Sequence, residues 1–151
     1  MLLQFGINEN DYTIFFEISK KLSDDHQIIL VGLTNSQILK LPSHIIGIEK
    51  TNSIQELCIL YALSDVFINL TYEDNYPTTN LESISCGTPV ITYKTGGSTE
   101  SAEIFGKTVE KGNIELVIEE IKSCKNYYRN NKFNMDNQDT VKEYLKIYKG
   151  K

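Results

Sequence analysis

The sequence predicts an α/β fold, a single Rossmann-like doubly wound parallel sheet of about six strands with helices on both faces. Three observations predict it. Short apolar runs alternate with helical stripes along most of the chain. The clearest run, Gln27-Ile28-Ile29-Leu30-Val31-Gly32, is β-branched, almost unbroken and closed by glycine, as a strand covered on both faces reads. At 151 residues the chain fits one ordinary core, so positions 1–151 are read as one domain.

The elements follow in order. Leu2 to Gly6 is a short apolar run ending in glycine, after which Ile14, Phe15, Ile18 and Leu22 share one helical face. The Gln27 to Gly32 strand comes next, then Ile45 to Ile48. Ser53-x-x-Glu56 reads as a capping box opening a helix that carries Ile54, Leu57, Leu60 and Tyr61 inward. Val66 to Leu70 is another buried strand. Beyond a polar loop lie a helix from about Thr78 to Cys86, the stop Gly87 and the strand Pro89 to Tyr93. Lys107 to Val109 adds a further strand. Asn113 then caps a helix with Ile114, Val117, Ile118 and Ile121 on its buried side. Asn126 to Asp139 reads as an exposed connection to a last helix, about residues 139–149, that holds Val141, Tyr144, Leu145 and Tyr148.

Composition narrows the function classes. No apolar run approaches the roughly 18 residues that cross a bilayer, and the start Met1 to Phe5 has neither the basic flank nor the length of a signal peptide. The expected location is cytoplasmic, with at most peripheral contact at the inner face of the cell membrane through the lysines of Lys142 to Lys151. A net charge of −5 without a basic stripe argues against nucleic acid as a partner. Cys58, Cys86 and Cys124 show no C-x-x-C spacing and no neighbouring histidine, so they read as buried reduced thiols rather than a disulfide framework or a zinc site. No metal and no cofactor are expected, and His26 and His44 read as surface or edge residues.

Alternating strands and helices imply right-handed crossovers, and such sheets bind ligands at the carboxyl ends of their strands. The Val66 to Leu70 strand opens there into Thr71-Tyr72-Glu73-Asp74-Asn75-Tyr76-Pro77-Thr78-Thr79-Asn80-Leu81-Glu82. Pro77 suits the first helical position, and the amides of Thr78, Thr79 and Asn80 would then point out of the helix end. Such an end attracts an anion by about 0.3 to 1 kcal/mol, or about 2 when partly buried. A diphosphate would fit. Asp74 and Glu82 flank that helix start, and ionised carboxylates accept from both hydroxyls of a vicinal diol. On residue types alone an equal reading is that Asp74 favours the helix dipole and Glu82 is a solvated helical residue. The next strand ends in Lys94-Thr95-Gly96-Gly97-Ser98, where paired glycines let backbone approach a ligand closely.

Taken together, "EDNYPTTNLESISCGTPVITYKTGG" resembles the donor-domain signature of family-4 (group 1) retaining glycosyltransferases, particularly those of bacterial surface-polysaccharide synthesis. The shared order is an acidic residue, seven residues, Glu82, then C-G-T-P-V-I-T-Y and a T-G-G turn. "IILVGL", "IIGIEKTNSIQEL" and "YALSDVFINLTYED" are similar to the family at matching intervals, so the resemblance runs from about Gln27 to Lys122. It implies one half of a GT-B fold and a metal-independent hexosyltransferase (EC 2.4.1.-) whose substrate is a UDP- or GDP-linked sugar, serving capsule, lipopolysaccharide or exopolysaccharide synthesis. By the resemblance Glu82 holds the ribose hydroxyls and Asp74, or Glu73 in its place, contacts the donor sugar. Thr78 and Thr79 meet the diphosphate, with Tyr76 and Asn80 beside them. Thr95, Gly96 and Gly97 line the sugar pocket, Lys50 and Thr51 lie near the base, and Lys94 offers a nearby cation.

The chain departs from the family at two places. Asp74 stands where glutamate is usual, and the stretch Gly6 to Tyr12 has no basic residue where the family carries one against the diphosphate. The family's acceptor-binding domain, which precedes the donor domain, is expected in the same longer protein or on another chain. The alternative expectation is a catalytically inactive nucleotide-sugar-binding or regulatory module; a ligand-free interaction domain has only fold-level analogy behind it.

Overall fold

The computed structural model describes residues 1–5, 12–22, 26–72 and 75–130, with side chains at 1, 12–22, 26–72 and 75–124. Strands β1 (Leu2–Phe5), β2 (Ile28–Val31), β3 (Ile45–Ile48), β4 (Val66–Asn69), β5 (Val90–Tyr93) and β6 (Gly106–Val109) alternate with helices α1 (Ile14–Lys21), α2 (Asn35–Ile38), α3 (Ile54–Leu63), α4 (Thr78–Ser85), α5 (Ser98–Ile104) and α6 (Ile114–Asn130). The strands form one parallel sheet in the order β3-β2-β1-β4-β5-β6. The doubly wound α/β expectation is met.

Burial on both faces explains the composition of the central strands: every residue of β2, β4 and β5 is buried. One face packs Phe15 and Ile18 of α1 and Val117, Ile118 and Ile121 of α6 over Leu30, Ile68 and Ile91. The other packs Tyr61 of α3 and Ile84 of α4, with Leu57 and Leu60, over Ile29, Val31, Phe67 and Val90. The winding therefore reverses between β1 and β4, the innermost pair of the strand order. That reversal opens the crevice where such sheets take ligands.

Four local details differ from the sequence reading. Helix α2 was not anticipated; Thr34 and Gln37 form a reciprocal capping box, with the Thr34 amide donating to Gln37 Oε1 at 2.7 Å. Before α3, the Glu56 amide donates to Ser53 Oγ at 3.1 Å, but the Glu56 carboxylate accepts from the amide of Asn52, so the box closes one residue early. Ile54 is 74% exposed rather than inward, because the contacts of α3 with the core begin one turn later at Leu57. Helix α6 runs to Asn130 through part of the expected connection, since no glycine or proline interrupts it. The expected helix at 139–149 lies outside the described residues.

Candidate functional site

Helix α4 starts beside the crevice, at the carboxyl end of β4. Pro77 occupies the N-cap rather than the first helical position, with φ −70° and ψ 111°, and no side chain caps the helix. The Asn80 amide donates to the Pro77 carbonyl at 3.1 Å, which leaves the amides of Thr78 and Thr79 as the donors without an intrahelical acceptor. Thr78 is exposed and Thr79 half-buried.

The 100° step of a helix sorts the polar residues of α4. Glu82, four residues after Thr78, returns to the same side and is exposed. Asn80, two residues after Thr78, turns to the opposite side and is fully buried at 0% exposure. Its Oδ1 accepts from Asn69 Nδ2 at 2.8 Å, its Nδ2 donates to Ser101 Oγ at 2.8 Å, and Ser101 Oγ in turn donates to the Ser98 carbonyl. Expected beside the diphosphate for its backbone amide, Asn80 instead gives that amide to the Pro77 carbonyl, and its side chain, by its helical phase, ties α4 to β4 and α5.

Tyr61 was read only as a core residue. It reaches from α3 beneath the outer side of α4, 1% exposed, and its one hydroxyl proton is shared in a forked bond between Glu82 Oε2 at 3.2 Å and the Thr79 carbonyl at 3.3 Å. Burial first, and the negative charge of Glu82 second, hold the phenol well above its ordinary pKa, so it stays a donor. The available signal was chemical: a tyrosine on a buried stripe needs a partner for its hydroxyl.

The second wall is the turn after β5. Gly96 takes φ +48°, and Gly97, the N-cap of α5, sits so close to the preceding loop that a Cβ there would lie 1.9 Å from the Asn75 carbonyl oxygen and 3.1 Å from Tyr76 Cδ2. Thr95 Oγ1 donates to the Thr71 carbonyl at 3.3 Å. Thr95, Gly97 and Tyr76 are thus brought together with the start of α4. Four buried oxygens without a hydrogen-bond partner gather under the same ends: Asn69 Oδ1, Thr71 Oγ1, Thr92 Oγ1 and Ser98 Oγ. Polar atoms left so are uncommon away from sites that handle polar ligands or water.

Lys94 is not brought to α4. Its exposed ammonium lies 3.7 Å from Glu110, across the β5–β6 edge. A cation that the sequence reading passed over, Lys111, stands 4.4 Å above the ring of Tyr72, at the end of β4. Lys50 and Thr51 follow β3, the edge strand three places from β4, which at strand spacing is about 14 Å away. Glu73 and Asp74, and the loop positions Gly6 to Asp11, lie outside the described residues. Among those described, no group of His, Cys, Asp or Glu is arranged to hold a metal ion, and no helix is long and apolar enough to cross a membrane.

The thiols are not uniformly buried. Cys58 on α3 is exposed and Cys124 is buried, while Cys86, at the end of α4, is pushed up to about 11 by partial burial and by neighbouring Cys58.

Residues 5–126 match the family described as glycosyl transferases group 1. No curated protein sequence matches the chain. Among solved structures it resembles Anabaena HepE in complex with UDP-glucose, with a TM-score of 0.66 at 17% identity, over 85% of this chain and 40% of that one. It also resembles WaaG, a glycosyltransferase involved in lipopolysaccharide biosynthesis, with a TM-score of 0.65 at 18% identity, over 82% of this chain and 37% of that one. At such identities the likeness is one of fold. The chain spans about two fifths of the length of these neighbours.

Proposed function

Since the chain belongs to the glycosyl transferases group 1 family, we propose that it is the donor-binding half of a GT-B glycosyltransferase, holding a UDP- or GDP-linked hexose for transfer with retention of configuration. The observation that carries this reading is the uncapped start of α4, with two free amides, set at the β1/β4 crevice with the Glu82 carboxylate on the same side of the helix. Amides and the helix dipole supply the positive end that a diphosphate needs, which is why the transfer is assigned no metal. Glu82 accepts from the ribose diol, Thr78 and Thr79 meet the diphosphate, Thr95 and Gly96 line the sugar, Lys50 and Thr51 border the base, and Asp74 or Glu73 contacts the transferred hexose.

The acceptor wall comes from an N-terminal domain of the same or another chain, because transfer requires two substrates positioned across a closed cleft. HepE in complex with UDP-glucose supports a nucleotide-sugar donor, and WaaG in lipopolysaccharide biosynthesis supports a surface-polysaccharide product, for which the cytoplasmic side of the membrane is our own assignment. Calorimetry with UDP, GDP and their hexose conjugates tests the reading. Binding that drops in Glu82→Ala is the expected result; no heat with any of them at millimolar concentration refutes it. The stretch Gly6 to Tyr12, without a basic residue, favours a second reading, a nucleotide-sugar-binding module that no longer catalyses. Measured donor binding with no sugar transfer in the presence of the acceptor domain would select it.

A further inference from the structure

We infer that Tyr61 is a positioning residue for donor binding: its buried hydroxyl fixes the Glu82 carboxylate in the orientation that reads the ribose. This rests on the donor-site reading above and adds a residue to it. A glutamate on an exposed helical surface samples several rotamers, and each one it must give up on binding weakens the complex. Here one carboxylate oxygen is already held, by a donor that cannot itself swing away. The Tyr61 ring packs edge-on to Phe67 at 5.4 Å between centroids. Its carbonyl accepts from Thr88 Oγ1 at 2.5 Å, and Thr88 is joined back to α4 by its amide and carbonyl, both bonded to Ser83. Tyr61 therefore joins α3 to α4 at two points, its backbone carbonyl through Thr88 and its hydroxyl through Glu82. With Oε2 engaged at 3.2 Å, Glu82 keeps Oε1 and the outward lone pairs of Oε2 for a diol.

The same hydroxyl proton is shared with the Thr79 carbonyl at 3.3 Å, which keeps the phenol oxygen in register with α4 and so with Glu82. Without the hydroxyl the carboxylate stays present but loses its orientation. The loss should be smaller than deletion of Glu82 and confined to ligands that carry the diol.

The test is binding of UDP and GDP, each beside its 2′-deoxy counterpart, to the wild-type chain, Tyr61→Phe, Glu82→Ala and the double variant. Tyr61→Phe keeps the ring and its packing. We expect about three- to tenfold weaker binding of the ribonucleotide, less than twofold for the deoxynucleotide, and no further loss when the change is added to Glu82→Ala. An equal loss for both sugars, or an additive loss in the double variant, overturns the inference in favour of a merely structural tyrosine. Unchanged binding overturns it as well. Should wild-type binding be indifferent to the 2′-hydroxyl and to Glu82, the ribose assignment itself falls and takes this inference with it. If Tyr61→Phe does not fold, the Tyr61 hydroxyl proton in wild-type NMR spectra decides: it should shift with the ribonucleotide and not with the deoxynucleotide, and a proton blind to both refutes the role.

Discussion

Replacing Gly97 by alanine separates two reasons for a glycine at this turn. Its backbone, φ −76° and ψ −3°, is open to any L-residue, so alanine meets no torsional strain. The obstacle is contact: the new Cβ would lie 1.9 Å from the Asn75 carbonyl oxygen, whereas real Cβ contacts essentially never fall below 3.0 Å. The loop, the α5 start or both must give by at least the 1.1 Å difference, and Asn75 stands two residues before the Pro77 cap of α4. A misplacement of positioning groups by about 1 Å can cost about a hundredfold in reaction rate, and amides aimed at a diphosphate depend on their placement in the same way. Gly97→Ala should therefore weaken UDP or GDP binding at least about tenfold while lowering stability by about 1 to 3 kcal/mol. The comparison is Gly87→Ala at the far end of α4, where φ is +81° and nothing lies within 4 Å. That change carries backbone strain of about 1 kcal/mol with no clash and should leave affinity as it is. Calorimetry gives the affinities and urea unfolding the stabilities. Gly97→Ala binding like wild type, or Gly87→Ala losing equal affinity, would refute the close-approach account.

Three further outcomes follow from the same contacts. Asn80→Ala removes the acceptor for Asn69 Nδ2 and the donor to Ser101, both buried, and should cost about 2 to 4 kcal/mol in urea unfolding; a loss below about 1 kcal/mol would show that the network is not binding the helix down. Lys94→Ala breaks only an exposed pair, so stability should change by less than about 0.5 kcal/mol and donor affinity by less than about threefold. An affinity loss above tenfold would mean that the ammonium leaves Glu110 for the diphosphate. Burial, and secondarily Glu120, pushes the Cys124 thiol up to about 12 from 9.0. The unfolded chain then releases that proton first, so the stability Cys124 contributes is whole below about pH 9 and is lost as pH rises towards 12. The midpoint by circular dichroism should fall by several degrees between about pH 9 and pH 11, less steeply in Cys124→Ala; parallel curves would deny the thiol a part.

Strands were the most legible elements, because residues buried on both faces leave an unbroken apolar record: Ile28 to Val31, Val66 to Asn69 and Val90 to Tyr93 each lie inside the run read as a strand, one residue shorter at one or both ends. Helix α2 was missed because four residues are too few for a periodic stripe, although Thr34-x-x-Gln37 carries a capping signature. The start of α4 was legible as polar and anion-attracting, but polarity does not say which side of a helix a residue takes. Asn80 was grouped with Thr78 and Thr79 for its backbone amide, and nothing in that grouping placed its side chain. Its side-chain amide can make more hydrogen bonds than either threonine hydroxyl, which suits it to join two elements in the interior as readily as to meet a ligand. Tyr61 was legible as apolar, and its phenolic oxygen, one atom in the side chain, has no periodicity to betray it.

The fastenings of α4 bear on how the site would work. Asn80 holds the helix from below to β4 and α5, Tyr61 holds its outer side, and Ser83 and Thr88 link its end back to α3. The loop before it is pinned from the other wall by Thr95 on Thr71 and by the approach of Gly97 to Asn75. An isolated helix of eight residues is too short to persist in water, so these contacts, more than propensity, keep its first amides aimed. Donors fixed before the ligand arrives need no reorganisation when charge meets them, and that preorganisation is what makes a few weak amides effective against a diphosphate. Loosening Asn80, Ser83 or Thr88 should therefore weaken binding of any diphosphate ligand even in variants that remain folded, because the first thing lost is the aim of the helix, whereas the Tyr61 hydroxyl bears on the diol alone.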